Sequence, residues 1–277
     1  MTTAYIPGPI GIFDSGYGGL TVFKEIATRL PAYDYIYFGD NARAPYGIRS
    51  FETIYRYTLE CVRHLFGMGC NLVILACNTA SAKALRTIQQ HDLHDIGPLH
   101  RVLGVIRPTT EMIGTVTRSG HVGIVATTGT VQSNSYVVEI NKFFPGIQVF
   151  QEACPMWVPL IENNEHEGPG ADYFVEKNIR ELLQQSAQID TIILGCTHYP
   201  LMLNKIRKYV PAHIRLLAQG EIVADRLVDY LERHPEIDAL CSKQGRQVFY
   251  TTESAESFDL KAQLFYDRPV HARHFEL

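Results

Sequence analysis

Long hydrophobic runs are absent from this sequence. No apolar stretch approaches the roughly 20 residues that a helix needs to cross a lipid bilayer. The first residues, Met1 to Pro9, also lack the basic start and apolar core of a secretory signal peptide. We therefore expect a cytoplasmic protein that has no membrane partner.

An excess of positive charge is missing as well. The chain has 25 Lys and Arg residues against 29 Asp and Glu residues, which gives a net charge of −4. The basic residues are scattered along the sequence, whereas nucleic-acid-binding proteins usually carry a basic surplus or patch. We therefore expect no nucleic-acid partner. Hydrophobic residues make up 46% of the chain, as in ordinary globular proteins.

The six cysteines include no Cys-x-x-Cys pair and lack the spacing of a small disulfide-bonded domain. This distribution predicts reduced thiols and no metal site. Four of the cysteines are predicted to be small core residues, namely Cys61, Cys70, Cys154 and Cys241.

The other two cysteines stand at matching points of two similar stretches. Leu72 to Thr79 reads Leu-Val-Ile-Leu-Ala-Cys-Asn-Thr, and Thr191 to His198 reads Thr-Ile-Ile-Leu-Gly-Cys-Thr-His. Each stretch is an apolar run followed by a cysteine and small polar residues, and each leads toward a predicted helix. The matching positions of Cys77 and Cys196 indicate an internally repeated fold.

Apolar runs of strand length alternate with helical patterns along the chain. The predicted strands are 9–14, 33–38, 72–76, 102–106, 122–126, 147–152, 191–194, 214–217 and 247–252. The predicted helices are 20–29, 51–66, 80–90, 109–117, 133–144, 173–185, 201–209 and 220–232. This alternation predicts an α/β fold of two pseudo-symmetric, doubly wound domains with mainly parallel sheets. Ligands of such sheets bind beyond the carboxyl ends of the strands, so we expect the active site in the cleft between the domains.

Cys77 and Cys196 each precede a helix, whose N-terminus favours a thiolate over a thiol. Two thiols that face one pocket suit a reaction in which a proton leaves one face of a carbon atom and another is added to the opposite face. That reaction is the chemistry of a racemase. The alternative for each cysteine is a small core residue, and the matched positions argue against it.

Two polar residues are expected close to these thiols. Asp14 ends the first predicted strand, at the same rim as Cys77, where a carboxylate can take or hold a proton. Its alternative role is to cap the helix that begins near Leu20. His198 follows Cys196 by two residues and could exchange a proton with that thiol, or it could form only local hydrogen bonds at a helix start.

Glu162 follows the apolar segment Val158 to Ile161 and precedes a polar loop. Glu165 and Glu167 lie nearby, so the residues alone do not distinguish Glu162 from its neighbours.

Small hydroxyl and amide groups are abundant at the predicted rim. With the amides of helix N-termini, they suit the carboxylates of a small acid, although helix capping is an alternative for each. They are Ser15, Asn78, Thr79, Thr127, Thr128, Thr130 and Thr197.

Two patterns in the sequence partly match cofactor or metal sites. Gly16-Tyr-Gly-Gly19, with Asp40 after the next strand, matches a dinucleotide-binding fingerprint only in part, because the glycine spacing is incomplete. Cys77, Cys196 and His198 could bind zinc, but their spacing is poor for that metal. We expect no cofactor and no metal.

Through these residues the chain resembles the glutamate racemases, cofactor-independent enzymes that supply D-glutamate for bacterial peptidoglycan. The resemblance covers nearly the whole chain. Its anchors are Gly11–Leu20, Ala44–Gly47, Ala76–Ser81, Val158–Glu162 and Gly195–Pro200. A histidine at position 198 is the glutamate-type pattern, whereas the related aspartate racemases tend to have an acid there.

The resemblance implies that Cys77 and Cys196 are the two catalytic acid/bases in the interconversion of L- and D-glutamate. It implies that Asp14 assists Cys77, and that His198 and Glu162 assist at Cys196. The substrate contacts that it implies are Asp14, Ser15, Tyr46, Gly47, Asn78, Thr79, Thr197 and His198.

The resemblance also bears on the domains and the assembly. Together with the repeat, it implies a first domain of residues 1–104 and 217–277 and an inserted second domain of residues 105–216. It further implies a homodimer. Three other functions remain open at this point, namely a racemase for aspartate or another amino acid, a hydrolase with a cysteine nucleophile, and a non-catalytic binding protein.

Overall fold

A computed structural model describes residues 6–277, so residues 1–5, which belong to the N-terminal stretch considered above, lie outside the described residues. The strands are β1 (Ile10–Asp14), β2 (Tyr35–Gly39), β3 (Leu72–Leu75), β4 (Arg101–Gly104), β5 (His121–Ala126), β6 (Gln148–Ala153), β7 (Thr191–Gly195), β8 (Arg215–Leu217), β9 (Gln247–Thr251) and β10 (Ala272–His274).

The α-helices are α1 (Gly19–Arg29), α2 (Phe51–Gly67), α3 (Asn78–Lys83), α4 (Leu85–Thr87), α5 (Leu93–Ile96), α6 (Ile106–Val116), α7 (Thr128–Gln132), α8 (Ser135–Phe143), α9 (Trp157–Glu162), α10 (Pro169–Gln185), α11 (Leu203–Tyr209), α12 (Gly220–Arg233), α13 (Pro235–Asp238) and α14 (Ala255–Tyr266). Short 3₁₀ helices lie at Asn41–Arg43 and Tyr199–Met202, and a π-helical turn lies at Ile88–Asp92.

The strands form two parallel sheets. The first has the order β10-β9-β2-β1-β3-β4, and the second has the order β6-β5-β7-β8. The segment β2-β1-β3-β4 of the first sheet therefore repeats as β6-β5-β7-β8 in the second, strand for strand in chain order. This arrangement confirms the predicted α/β fold with parallel sheets.

Four of the inner strands are buried along their whole length. Every residue of β1, β2, β3 and β7 is buried, as expected for parallel strands that helices cover on both faces. On one face of the first sheet, α1 contributes Leu20, Phe23 and Ile26 to the core. Among residues 6–277, no helix combines the length and the apolar character that membrane crossing requires.

Two helices differ from prediction because of proline. The sequence Cys154-Pro155 predicts the start of a loop, but Trp157–Glu162 is the helix α9, with Pro159 as its third residue. Likewise α6 begins at Ile106 rather than near Thr109, with Pro108 in its first turn. A proline there is tolerated because the first N–H groups of a helix have no partner within the helix.

The C-terminal part of the chain holds elements that the sequence patterns did not predict. The helix α14 follows Ser254, whose hydroxyl accepts a hydrogen bond from the N–H of Ser257. It buries Phe258, Ala262 and Phe265 on one face. The strand β10 then joins β9 at the edge of the first sheet.

Candidate active site

The two thiols follow equivalent strands of the two sheets. Cys77 comes shortly after β3, the neighbour of the central strand β1, and Cys196 comes directly after β7, the neighbour of β5. In each sheet the strands on either side of the central strand are reached by separate connections, which leaves a crevice at its carboxyl end. Asp14 ends β1 and Thr127 follows β5, so each sheet places one polar residue and one thiol at this edge.

Cys77 is the N-cap residue of α3. Its sulfur accepts a hydrogen bond from the N–H of Ala80 at 3.4 Å and shares another with the hydroxyl of Ser15 at 3.4 Å. Burial, and to a lesser extent Asp14, raise the pKa of the Cys77 thiol to about 12, although the bonds from Ser15 and Ala80 oppose the shift. Cys196 lies close enough to add a smaller effect of the same sign. The Cys77 thiol therefore keeps its proton at neutral pH.

Asp14 is almost completely buried beside Cys77. Its Oδ2 atom accepts a hydrogen bond from the N–H of Gly16 at 2.9 Å, and its Oδ1 atom has no hydrogen-bond partner among residues 6–277. Burial raises the pKa of this carboxyl group, and the charge of His198 offsets part of that effect. Gly18, not Asp14, holds the N-cap position of α1, although the backbone N–H of Gly19 in the first turn of this helix also lowers the pKa of Asp14.

His198 connects Cys196 to Glu162. Its Nδ1 atom lies 3.9 Å from the sulfur of Cys196, and its Nε2 atom lies 2.9 Å from Oε1 of Glu162. Burial lowers the pKa of His198, but the hydrogen bonds with Cys196 and Glu162 outweigh it and raise the pKa to about 10. Burial also raises the pKa of Glu162, yet His198 and Lys261 bring the net shift below the usual value. His198 therefore has one partner nearby in sequence, Cys196, and one distant partner, Glu162, and its side chain does not cap the 3₁₀ helix that follows it.

Glycine 18 allows the two halves of the site to approach each other. A Cβ atom at Gly18 would lie 2.3 Å from Nδ1 of His198 and 2.4 Å from Oγ1 of Thr197. The hydroxyl of Thr21 donates a hydrogen bond to the backbone oxygen of Thr197 at 2.9 Å. Close packing thus accounts for this glycine of the partial dinucleotide fingerprint.

The hydroxyl groups of three threonines lie together where α3 meets the segment after β5. The Oγ1 atom of Thr79 lies 2.9 Å from that of Thr127 and 3.4 Å from that of Thr130, so α3 is joined to the turn after β5. A backbone hydrogen bond lies in the same region, since the N–H of Gly129 donates to the backbone oxygen of Gly47 at 2.7 Å. Thr128 is half-buried at the start of α7.

Two other predicted contacts already have internal partners. The hydroxyl of Tyr46 donates a hydrogen bond to the carboxylate of Asp40. The side-chain amide of Asn78 is bound to Gln219 and Tyr136. Sequence reasoning did not identify Gln219 or Tyr136, because each is a single polar residue in a helical region without a distinguishing pattern.

The thiols lie in a closed part of the molecule. Both Cys77 and Cys196 are 6% exposed. Surface cavities of about 640 Å³ and 520 Å³ lie elsewhere, beside α2 and between α10 and α11, and neither thiol lines them. Among residues 6–277, no three His, Cys, Asp or Glu side chains are grouped so that they could hold a metal ion.

Comparison with known proteins identifies relatives over nearly the whole chain. A family model described as Asp/Glu/Hydantoin racemase matches residues 10–227. A glutamate racemase of Persephonella marina is 40% identical over 270 residues, which cover 97% of each chain.

Solved structures give the same result. A glutamate racemase isoform of Bacillus anthracis has a TM-score of 0.88 and 32% identity, with 98% of each chain covered. The glutamate racemase of Francisella tularensis, in complex with D-glutamate, has a TM-score of 0.86 and 30% identity, with 97% of each chain covered. This chain therefore belongs to the Asp/Glu/Hydantoin racemase family, and it is an amino-acid racemase.

Proposed function

We propose that this protein interconverts L- and D-glutamate in the cytoplasm by proton transfer between Cys77 and Cys196, without a cofactor. We propose further that its D-glutamate is used for bacterial peptidoglycan synthesis. The observation that carries the mechanism is the placement of two thiols at equivalent strand ends of two repeated sheets. The choice of glutamate is supported by the names of the relatives and by the D-glutamate complex of the Francisella protein.

The two thiols have different surroundings. Burial keeps the proton on Cys77, whose pKa is raised to about 12. A protonated His198 stabilises negative charge on the sulfur of Cys196. Such a difference between two similar groups is what acid and base roles in one reaction require.

The proposed step begins with the Cys196 thiolate. It takes the α-proton of one glutamate enantiomer, so the C–H bond breaks and its electron pair stays on carbon. The carbanion then takes the proton of the Cys77 thiol on the opposite face, which leaves Cys77 as the thiolate. The other enantiomer reacts by the reverse sequence. Asp14 beside Cys77, and His198 with Glu162 beside Cys196, return the thiols to their starting states.

The α-proton of an amino acid is a very weak acid, so the site must stabilise the carbanion strongly. The start of α3 offers backbone N–H groups to a carboxylate, and the buried position of both thiols excludes water. The proposed substrate contacts are Asp14, Ser15, Tyr46, Gly47, Asn78, Thr79, Thr128, Thr130, Thr197 and His198. The hydroxyl of Tyr46 already donates to Asp40, so Tyr46 would contact the substrate through its ring or its backbone.

The strand order supports two domains around this site. In the proposed division, the first domain comprises residues 1–104 and 217–277, and the second comprises residues 105–216, with glutamate bound between them. The proposed assembly is a homodimer, and sedimentation equilibrium of the purified protein tests it.

The deciding experiment is proton NMR with circular dichroism on the purified protein and L-glutamate in D₂O, with no added cofactor. Loss of the α-proton signal together with the optical signal supports the proposal. Exchange with aspartate but not with glutamate would keep the chemistry and change the substrate. Absence of exchange with every amino acid tested would overturn the proposal, and an acyl-enzyme burst with ester substrates would then favour the hydrolase.

A further inference from the structure

Three buried side chains form a closed ring of hydrogen bonds next to Cys77. The Nδ2 atom of Asn78 donates to Oε1 of Gln219 at 2.6 Å, and Nε2 of Gln219 donates to the hydroxyl oxygen of Tyr136 at 2.9 Å. The hydroxyl of Tyr136 in turn donates to Oδ1 of Asn78 at 2.7 Å. All three side chains are buried, so the loss of one partner would leave the others unsatisfied.

The ring has only one consistent direction. The backbone oxygen of Val105 can only accept, and it lies 3.1 Å from Nε2 of Gln219, so the nitrogen must occupy that end of the Gln219 amide. Gln219 then donates to the hydroxyl oxygen of Tyr136, whose own hydrogen is left for Oδ1 of Asn78. The amide of Asn78 is thereby fixed and cannot flip. One hydrogen on its nitrogen is bound by Gln219, and the other has no acceptor among residues 6–277.

Gln219 also connects the ring to the passages between the two sheets. Its Nε2 atom lies 3.1 Å from the backbone oxygen of Val105 and 3.0 Å from Oγ1 of Thr109. Val105 precedes α6, on the passage from the first sheet to the second, and Gln219 precedes α12, on the passage back. Gln219 therefore links the two chain segments that connect the sheets to Asn78, the residue after Cys77.

We propose that Gln219 and Tyr136 are positioning residues that aim the free N–H hydrogen of Asn78 at a carboxylate of the substrate. This inference rests on the proposed function, because it takes Asn78 as a substrate contact. The ring supplies no atom to the reaction. Its role is to set the direction of one hydrogen-bond donor beside Cys77 and to couple that direction to the relative position of the sheets.

Tyr136→Phe removes the donor to Asn78 Oδ1, and Gln219→Glu removes the donor to Tyr136. A misdirected amide loses a hydrogen bond to a charged group, so each variant should raise KM at least about tenfold. The same rise is expected for L- and D-glutamate, since both carry the carboxylate. A positioning role moves KM more than kcat, whereas a purely structural role lowers only the melting temperature.

The matched control is Tyr35→Phe. Tyr35 is as buried as Tyr136, but its hydroxyl donates at 2.8 Å to the backbone oxygen of Leu30, away from the thiols. This variant should melt at a lower temperature and keep the KM of the unmodified protein.

The outcomes separate the inference from the proposed function. Racemisation by the unmodified protein is measured first, and its absence would count against the proposed function. With an active protein, an unchanged KM in folded Tyr136→Phe would overturn the inference, whether or not Gln219→Glu folds. A raised KM in Tyr136→Phe with an unchanged KM in Tyr35→Phe supports it.

Discussion

The ring of His198 lies between the carboxylate of Glu162, 2.9 Å from Nε2, and the sulfur of Cys196, 3.9 Å from Nδ1. The side chain of Glu162 is 24% exposed, whereas that of His198 is 7% exposed. The three groups thus lead from the surface to the thiol. The sulfur of Cys77 has a different partner toward the surface, the hydroxyl of the half-buried Ser15, so the two thiols have different connections to solvent.

Loss of either thiol should abolish racemisation. Cys77→Ala and Cys196→Ala each remove a group that must transfer a proton, which should lower kcat by about 10²-fold to 10⁴-fold or more. The check is the optical assay at equal concentrations of folded protein. Cys241→Ala is the control, because this buried thiol donates to the backbone of Ile237 and belongs to the first sheet's periphery. Normal turnover by either active-site variant would contradict the two-thiol mechanism.

Asp14→Asn and His198→Asn should weaken proton transfer at different thiols. The enantiomers have equal free energies, so kcat/KM must fall equally in both directions. The difference should appear in the primary isotope effect with α-deuterated glutamate. Asp14→Asn should increase this effect for the enantiomer that Cys77 deprotonates, and His198→Asn for the other. An increase for the same enantiomer in both variants would instead indicate roles in substrate binding.

The stability contribution of His198 should decrease in alkaline solution. Its pKa rises from 6.5 to about 10 in the folded protein, so protonation favours folding. This contribution is complete below pH 6.5 and is lost as the pH rises through about 10. The measurement is urea unfolding of the unmodified protein and of His198→Asn between pH 6 and pH 10. Their stability difference should shrink as the pH rises, and a constant difference would contradict the assigned protonation.

Gly18→Ala should reduce racemisation through side-chain clashes rather than through backbone strain. Gly18 has φ −56° and ψ −37°, which alanine adopts readily, so the close contacts with His198 and Thr197 are the source of any effect. We expect racemisation to fall by about tenfold or more, because a small displacement of reacting groups has a large effect on rate.

Gly67→Ala is the matched control for that variant. Gly67 ends α2, and a Cβ atom there would meet nothing within 4 Å. It should leave racemisation unchanged and alter stability by less than about 1 kcal/mol. Equal activity of Gly18→Ala and Gly67→Ala would show that His198 and Thr197 tolerate displacement.

The strands that carry the site could be predicted because their signals are local. Apolar runs end at Asp14 and shortly before Cys77 and Cys196, and parallel packing brings such ends to one edge. The α/β fold and the family resemblance are confirmed. The catalytic and binding roles of individual residues stay predictions.

Other parts of the site depend on contacts that no local pattern encodes. Glu162 is one acid among three in its segment, and only the folding of α9 brings it to His198. Gln219 and Tyr136 meet Asn78 across 141 and 58 residues of sequence. A sequence pattern reports periodicity within one helix or strand, so it does not predict contacts between residues that are far apart in the sequence.

The burial of both thiols has a consequence for their oxidation. Oxidants attack a cysteine that is both ionised and accessible, and damage beyond the sulfenic acid is irreversible apart from rare enzymatic rescue. Cys77 and Cys196 are each only 6% exposed, so neither sulfur atom meets the second condition. Burial therefore protects both sulfur atoms from oxidants as long as the protein stays folded.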